Sequence, residues 1–311
     1  MTSFFREPDK SYKIIILLGA GASRPAGILT VSEMTDVFLN NPMILRRIFA
    51  GKELQQKERD EISQVLKKLS EITQEHHGKN DLEYIMTFLG QLDDLKYREF
   101  LKSKYPTLED VLTFNGASED QAIEDYKNMI QENIRHFCEN ITEMKYLWTL
   151  DGLVSKPINI FTLNYDGIIE SYCEKNNLTY TDGFDPFWNP AKFNDNNDVN
   201  LFKIHGSLYW IRPKFGKPFR VPLRGLKISQ VHSIDGYLVN EMMLYPKLQK
   251  DKQSEVFSWL DRKFKDSLNN ANICIIIGYS FRDDEIRNSI IEALSAKYLS
   301  SSFPNQSQQI L

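Results

Sequence analysis

The sequence has few cysteines, no long apolar run and almost no net charge, and each absence excludes a class of protein. Its three cysteines, Cys138, Cys173 and Cys274, form no CxxC pair, which predicts neither a disulfide framework nor a cysteine zinc site. No apolar run reaches the roughly 18 residues of a membrane span. The net charge of −4 lacks the basic excess of nucleic-acid-binding proteins. We therefore expect no metal, no membrane contact and no direct nucleic-acid partner.

The overall composition is typical of a globular protein. Of 311 residues, 41% are hydrophobic and 26% charged, which is enough to build a sizeable core. The amino-terminal segment MTSFFREPDK has no apolar core with a small-residue cleavage site, so no secretory signal is predicted. Within the apolar run ICIII, Cys274 is expected to be a small buried side chain. The expected location is the cytoplasm.

Four apolar segments with the character of strands stop abruptly on small or polar residues. They are IIILL before Gly19, INIFTL before Asn164, LFKI before His205 and ICIII before Gly278. Because parallel α/β sheets bind ligands beyond the carboxyl ends of their strands, the residues after these segments should converge on one cleft. The sequence therefore predicts an α/β fold with a Rossmann-like, mostly parallel sheet.

A long stretch after the first strand has the periodicity of helices. The segment TVSE at 30–33 has the pattern of a capping box and predicts a helix. Apolar residues then recur at helical spacing through 43–150. We expect one domain over 1–311, with sheet-forming parts at 12–40 and 155–299 and a large all-helical insertion at 43–150.

The glycine turn after the first strand has two interpretations. A G-x-G turn between a strand and a helix allows backbone N–H groups to approach a pyrophosphate. It can equally be a tight turn without a ligand. Arg24 occupies the third glycine position of a dehydrogenase fingerprint, and no strand with a ribose-binding acid follows at the usual distance. Together with the other strand ends, the turn favours nucleotide binding by a protein other than an ordinary dehydrogenase.

Asn164, Asp166 and His205 also admit a purely structural interpretation. Asn and Asp are common helix caps, and a lone histidine near a strand end is usually a core residue. A cap requires only one such side chain, however, and Gly206 after the histidine permits a close backbone approach, which fits a ligand as well as a turn. The turn-rich segment 182–198 is predicted to be a loop or a lid.

Four motifs, in this order, resemble the sirtuin family. They are GAGAS at 19–23, TLNYD at 162–166, KIHG at 203–206 and IIIGYSFRDDEI at 275–286. More narrowly, they resemble the sirtuin-like, NAD-hydrolysing domains of bacterial antiphage defence systems, such as Thoeris and the HerA-associated and Argonaute-associated systems. The resemblance covers the sheet-forming parts and implies NAD as the substrate.

The resemblance implies a role for each matching residue. The residues implied to surround NAD are Gly19, Ala20, Gly21, Ala22, Ser23, Gly278, Ser280 and Asp283, the last three on the adenosine side. Asn164 is implied to hold the nicotinamide ribose and an attacking water, and Asp166 to lie near the nicotinamide or ribose. His205 is implied to be the catalytic histidine.

Two departures separate this sequence from deacetylating sirtuins. It has no pair of CxxC motifs for a zinc module, and GILTVS at 27–32 stands where those enzymes have GIPDFR. Cleavage of the nicotinamide–ribose bond expels a neutral leaving group, so it requires a stabilised oxocarbenium, a positioned water and a base, without zinc. A histidine can serve as that base near neutral pH. The sequence thus favours an enzyme, an NAD glycohydrolase, and the resemblance implies that it acts as an antiphage defence effector that depletes NAD.

Two alternatives remain open. One is an NAD-dependent protein deacylase or ADP-ribosyltransferase, and the other is a non-catalytic module that senses NAD or ADP-ribose. The resemblance also implies a homo-oligomer, or a partner such as a HerA-type ATPase or an Argonaute-like protein.

Overall fold

The computed structural model describes residues 13–40, 56–139, 147, 156–213, 216–221, 239–244 and 254–302. The chain divides into two compact units. The sheet unit comprises Met1–Pro25, Glu143–Met243 and Lys252–Leu311, and the helical unit comprises Ala26–Thr142 and Leu244–Asp251. None of the helices within the described ranges has both the length and the apolar character needed to cross a membrane.

The sheet unit is built on a five-stranded parallel sheet. Its strands are β1 (Ile14–Leu18), β2 (Ile158–Thr162), β3 (Tyr180–Thr181), β4 (Val199–Lys203) and β8 (Ile273–Ile277). They lie side by side in the order β3-β4-β2-β1-β8. The predicted α/β fold with a mostly parallel sheet is confirmed. The central strands are apolar and almost fully buried because both faces of a parallel sheet are normally covered.

The strands β4, β2, β1 and β8 end at the same level in the sheet. Leu18 pairs with both Thr162 and Ile277, and Thr162 pairs with Lys203. The chain therefore leaves all four strands at the same edge of the sheet. This edge is where α/β folds of this kind bind ligands.

A second, antiparallel sheet follows directly after the histidine. It has the order β6-β5-β7, with β5 at Gly206–Pro213, β6 at Phe219–Arg220 and β7 at Val239–Met243. Gly206 has a φ of 87°, and a Cβ atom there would lie 1.9 Å from the carbonyl oxygen of Met242. Glycine is therefore required at this position because two backbones approach closely.

The segment 182–198, predicted to be a loop or a lid, packs against the rest of the sheet unit through aromatic side chains. The Phe193 ring lies in this segment and stacks on Phe202 at 4.4 Å and on Trp259 at 5.2 Å between ring centroids. Phe184 of the same segment is buried against Trp210. The segment has little regular structure, as predicted, but Phe184 and Phe193 belong to the core, whereas Phe187 is exposed.

Four helices complete the described part of the sheet unit. They are α1 (Ala20–Ser23), α8 (Ile168–Lys175), α9 (Glu255–Asn270) and α10 (Asp284–Ser302). The Ser254 hydroxyl caps α9 by accepting a hydrogen bond from the Phe257 N–H at 3.3 Å. The apolar residues of α9 that recur at helical spacing are buried, as the pattern predicted.

Strand β8 differs from its predicted environment. Ile273 is 44% exposed and Ile277 is 38% exposed, although the apolar run ICIII predicts a buried strand. Cys274 is exposed as well, so the prediction that it is a buried side chain was wrong. The physical reason is that β8 is the last strand of the sheet and pairs only with β1 within the described residues.

The described part of the helical unit contains only helices and turns. The helices are α2 (Val31–Asn40), α3 (Gln56–His77), α4 (Leu82–Gln91), α5 (Leu95–Lys104), α6 (Thr107–Leu112) and α7 (Glu119–Glu139). The capping box before α2 is confirmed, because the N–H of Thr30 donates to Glu33 Oε2 at 2.9 Å. Of the predicted insertion, residues 43–55 and most of 140–150 lie outside the described residues.

Candidate functional site

The glycine turn and the loop after β8 are packed backbone against backbone. The N–H of Gly19 donates to the carbonyl oxygen of Ile277, and that of Gly21 to the carbonyl oxygen of Gly278, both at 2.9 Å. A Cβ at Gly19 would lie 2.6 Å from Cα of Tyr279. Close packing of two loops therefore accounts for both glycines. This packing also uses the N–H groups of Gly19 and Gly21, so these two donors are not available to a phosphate.

Of the glycines in these two loops, Gly278 is the one least able to be replaced by a residue with a side chain. Its φ is 66°, and a Cβ there would lie 2.1 Å from the backbone nitrogen of Ala22 and 2.4 Å from the carbonyl carbon of Gly21. Only glycine fits, on both conformational and steric grounds. The exposed side chain of Ser280 makes no hydrogen bond to another described residue, so nothing joins it to the rest of the site.

Asn164 lies two residues beyond the end of β2 and is oriented by the glycine turn. Its Nδ2 donates to the carbonyl oxygen of Gly19 at 3.0 Å and to Ser23 Oγ at 2.7 Å. A carbonyl oxygen can only accept, so this contact fixes which way the amide faces. The Asn164 Oδ1 atom accepts no hydrogen bond within the described part of the chain. The half-buried amide therefore presents a fixed, open acceptor.

Asp166 is buried, and both of its carboxylate oxygens are used. Its Oδ2 accepts from Ser23 Oγ at 2.6 Å, and its Oδ1 accepts from the backbone N–H of Ile168 at 3.1 Å. The second contact gives a partner to the first N–H of α8, although Gly167, and not Asp166, is the N-cap residue of that helix. The first contact joins Asp166 to Asn164 through the shared Ser23 hydroxyl.

His205 lies two residues beyond the end of β4 and is paired with an acid. Its Nε2 lies 3.0 Å from Asp283 Oδ2, and both side chains are partly buried. Asp283 Oδ1 accepts from the backbone N–H groups of Glu285 and Ile286 at 2.9 and 3.1 Å, so the same carboxylate caps α10. Burial raises the pKa of Asp283, but the His205 hydrogen bond and charge and the two N–H groups outweigh it and lower the pKa to about 2. The carboxylate is therefore ionised at neutral pH.

The His205–Asp283 pair joins two chain segments whose preceding strands are not neighbours in the sheet. β4 and β8 are separated in the sheet by β2 and β1, a span of roughly 14 Å at the usual strand spacing. The segments that carry His205 and Asp283 must therefore extend toward each other beyond the ends of β2 and β1, the strands that lead to Asn164 and Gly19. The structure thus places Asp283 beside the imidazole, a contact that the sequence did not reveal.

A strained aromatic residue lies in the same loop as Asp283. Phe281 has a φ of 57°, which is uncommon for a bulky side chain, and its ring is 43% exposed. It contacts the ring of Tyr279 at 4.7 Å between centroids, and the Tyr279 hydroxyl donates to the carbonyl oxygen of Asp283 at 2.9 Å. These contacts hold the loop that carries Asp283.

A buried ion pair that the sequence did not reveal lies next to Asp166. Lys203, the last residue of β4, is fully buried, and its Nζ lies 2.7 Å from Oε1 of Glu170 on α8. The Lys203 ammonium also donates to the main-chain oxygen of Asp166. Burial raises the pKa of Glu170, and the Lys203 charge opposes that rise. The signal in the sequence was a single lysine inside the otherwise apolar segment LFKI.

A small cavity lies beside this ion pair. Its volume of about 10 Å³ is close to that needed for one water molecule. Polar side chains of Ser23, Asn164, Asp166, Glu170 and Lys203 contribute to its lining. Ser23, Asn164 and Asp166 of the candidate site therefore share one polar region with the buried pair.

The comparison with protein families agrees with this arrangement. Residues 158–306, just under half of the chain, match the family model of the SIR2-like domain. The match includes Asn164, Asp166, His205 and the loop at Gly278, whereas the glycine turn at 19–23 lies outside it. No curated protein matches the chain. A SIR2-like domain implies NAD binding and suggests an NAD-related activity.

Proposed function

We propose that this protein is an NAD glycohydrolase, which converts NAD and water to nicotinamide and ADP-ribose. The observation that carries the proposal is that an oriented amide and a carboxylate-paired imidazole follow strand ends at the same edge of one parallel sheet. Asn164 supplies the amide, and His205 with Asp283 supplies the imidazole. The SIR2-like match of residues 158–306 supports NAD as the ligand.

Asn164 has the properties needed to position an attacking group. Its Nδ2 is fixed by Gly19 and Ser23, so the amide keeps one orientation without a ligand. Its Oδ1 can then accept a hydrogen bond from a ribose hydroxyl or from a water. Such fixed orientation is a large source of rate acceleration, because a reacting group held in place loses little further entropy.

His205 is suited to act as the general base. The ionised Asp283 accepts a hydrogen bond from Nε2 and so favours the tautomer with its proton on that nitrogen. Nδ1 is then the basic nitrogen, and it has no hydrogen-bond partner among the described residues. As the bond from C1′ to nicotinamide breaks and a bond from C1′ to the water oxygen forms, Nδ1 takes the proton of the water.

The remaining predicted site residues have supporting roles in this proposal. Asp166 orients the Ser23 hydroxyl and adds negative charge near the developing oxocarbenium. The segment 19–23 and the loop of Gly278, Ser280 and Asp283 are proposed to flank the phosphates and the adenosine, as the sirtuin resemblance implies. Asp283 has the additional role of orienting His205.

The proposed biological role is that of an antiphage effector that depletes NAD. This role is supported by the resemblance to sirtuin-like domains of bacterial defence systems. It includes assembly as a homo-oligomer, or action beside a HerA-type ATPase or an Argonaute-like protein.

Nicotinamide release is the direct test. The purified protein is incubated with NAD, with and without an acetylated peptide, at several protein concentrations. We expect peptide-independent release that is abolished in His205→Ala and in Asn164→Ala. The control His136→Ala removes an exposed imidazole of α7 and should retain activity.

Other outcomes would favour other functions. Release that requires the acetylated peptide would indicate a deacylase and contradict the proposal. Measurable NAD affinity without release at any protein concentration would indicate a sensing module. Release that persists in His205→Ala and Asn164→Ala would show that these residues do not carry the chemistry.

A further inference from the structure

Lys203 is an unusual residue for its position. It ends the central strand β4, where every residue is buried, and its own side chain is 0% exposed. An ammonium group at such a position loses its hydration, and a buried ion pair is often no more stable than an apolar pair of similar size. Stability of the fold therefore does not by itself explain a lysine here.

The contacts of Lys203 link three elements of the site. The ammonium lies at the end of β4, two residues before His205. It donates to the main-chain oxygen of Asp166, in the segment that follows β2, and to Oε1 of Glu170 on α8 at 2.7 Å. One charged group thus connects the strand of the imidazole with the segment of the amide.

Glu170 holds the ammonium in place. Its side chain is 3% exposed, and its Oε2 has no hydrogen-bond partner in the described residues. The carboxylate therefore has Lys203 as its one hydrogen-bonding side chain in this part of the structure. Glu170 also lines the small cavity that Ser23 and Asn164 line.

We propose that Lys203 is a positioning residue that fixes the segment Asn164–Asp166 relative to the strand carrying His205, with Glu170 as its counter-ion. This inference rests on the proposed NAD hydrolysis. The Asp166 main chain is held by Lys203, while the Asp166 side chain holds Ser23, which in turn accepts from Asn164. Loss of the ammonium therefore releases the segment that carries the amide from the strand that leads to the imidazole.

Two apolar substitutions, compared singly and together, distinguish an effect of Lys203 on the position of the amide from its effect on the stability of the fold. Lys203→Met alone leaves Glu170 buried without its partner and should lower the melting temperature, whereas Lys203→Met with Glu170→Leu removes both charges and should restore it. We expect the double variant to keep kcat about 100-fold below wild type, because displacement of a reacting group by about 1 Å has that effect. KM should change by less than about threefold. The control is Lys265→Met with Asp261→Leu, which removes an exposed i,i+4 pair of α9.

Recovery of both the melting temperature and kcat in the double variant would overturn the inference. If the double variant does not fold, Glu170→Gln decides the question, because it keeps an acceptor for Lys203. Retained kcat with a lowered melting temperature would then support positioning through Lys203. A loss of kcat in Glu170→Gln as large as that in Lys203→Met would contradict it.

Hydrogen exchange distinguishes failure of this inference from failure of the proposed function. If the wild type releases no nicotinamide, NAD hydrolysis is rejected, and exchange of the backbone amides at 164–168 still tests Lys203. Faster exchange of these amides in a folded Lys203 variant than in wild type supports the inference. Unchanged exchange overturns it.

Discussion

The imidazole of His205 and the carboxylate of Asp283 meet at 3.0 Å although the strands that precede them are not neighbours. In the sheet, β2 and β1 lie between these two strands, and they are the strands that lead to Asn164 and Gly19. Asp283 also caps α10 through its second oxygen. One carboxylate thus fixes both the ring and the helix that follows.

The substitution Asp283→Asn should lower activity more than stability. The asparagine can still cap α10 through its oxygen, but its amide N–H₂ would donate to Nε2 and favour the histidine tautomer with the proton on Nδ1. The general base would then carry its proton on the wrong nitrogen, and we expect nicotinamide release to fall by about 100-fold or more. Single-turnover rates measure this effect. Asp284→Asn, at an exposed neighbour, is the control and should retain the wild-type rate.

The same carboxylate should contribute stability that depends on pH. The pKa of Asp283 is about 2 in the folded protein, below the value near 3.9 of an unfolded chain. Its contribution of about 2 kcal/mol is therefore fully present above pH 4 and is lost as pH falls through 2. Urea unfolding at a series of pH values should show wild type and Asp283→Asn converging as pH approaches 2. A constant difference between pH 7 and pH 2 would contradict this assignment.

The sheet could be predicted from sequence because its strands are short apolar runs that end sharply. IIILL and INIFT are buried on both faces, and that environment produces a continuous apolar pattern. The exposure of β8 could not be predicted, because an edge strand with the same apolar composition gives the same pattern. Exposure depends on which strands lie beside it, and that is set by the order of the whole sheet.

The candidate site was predictable only in part, for a similar reason. Asn164, Asp166 and His205 follow strand ends, so their common edge could be inferred from the strands. The pairing of His205 with Asp283 joins residues far apart in sequence through loop geometry, which has no periodic signal. The pairing of Lys203 with Glu170 was hidden because a lysine in a strand is normally exposed.

The close packing of the two glycine loops leads to a prediction about stability. Gly278→Ala would place a Cβ 2.1 Å from the nitrogen of Ala22 and would also require a left-handed alanine. We expect a loss of about 3 kcal/mol or more in the free energy of unfolding, because overpacking adds to backbone strain. Chemical denaturation of purified variants measures this loss.

Gly78→Ala is the matched control for that substitution. Gly78 has a φ of 72°, but a Cβ there meets no atom within 4 Å. This variant should therefore show only the conformational cost of about 1 kcal/mol. Equal losses in the two variants would mean that the loops at Gly21 and Gly278 separate easily and that their packing does not define the site.

The Ser23 hydroxyl connects the amide and the acid of the site, so its removal tests whether they act as one network. In Ser23→Ala, Asp166 loses the 2.6 Å hydrogen bond to its Oδ2, and Asn164 keeps only its contact to the Gly19 carbonyl oxygen. The amide remains roughly in place but is less restricted, so we expect kcat for nicotinamide release to fall about tenfold. NAD affinity, measured by calorimetry, should change little.

A buried serine elsewhere in the sheet unit provides the control for Ser23→Ala. Ser289 is also buried, and its hydroxyl donates to the carbonyl oxygen of Glu285 within α10. Ser289→Ala should therefore match Ser23→Ala in the loss of a buried hydroxyl while leaving kcat at the wild-type value. If Ser23→Ala also retains wild-type kcat, the contact to Gly19 alone must orient Asn164, and Asp166 would then have only the structural role of accepting from the Ile168 N–H at the start of α8.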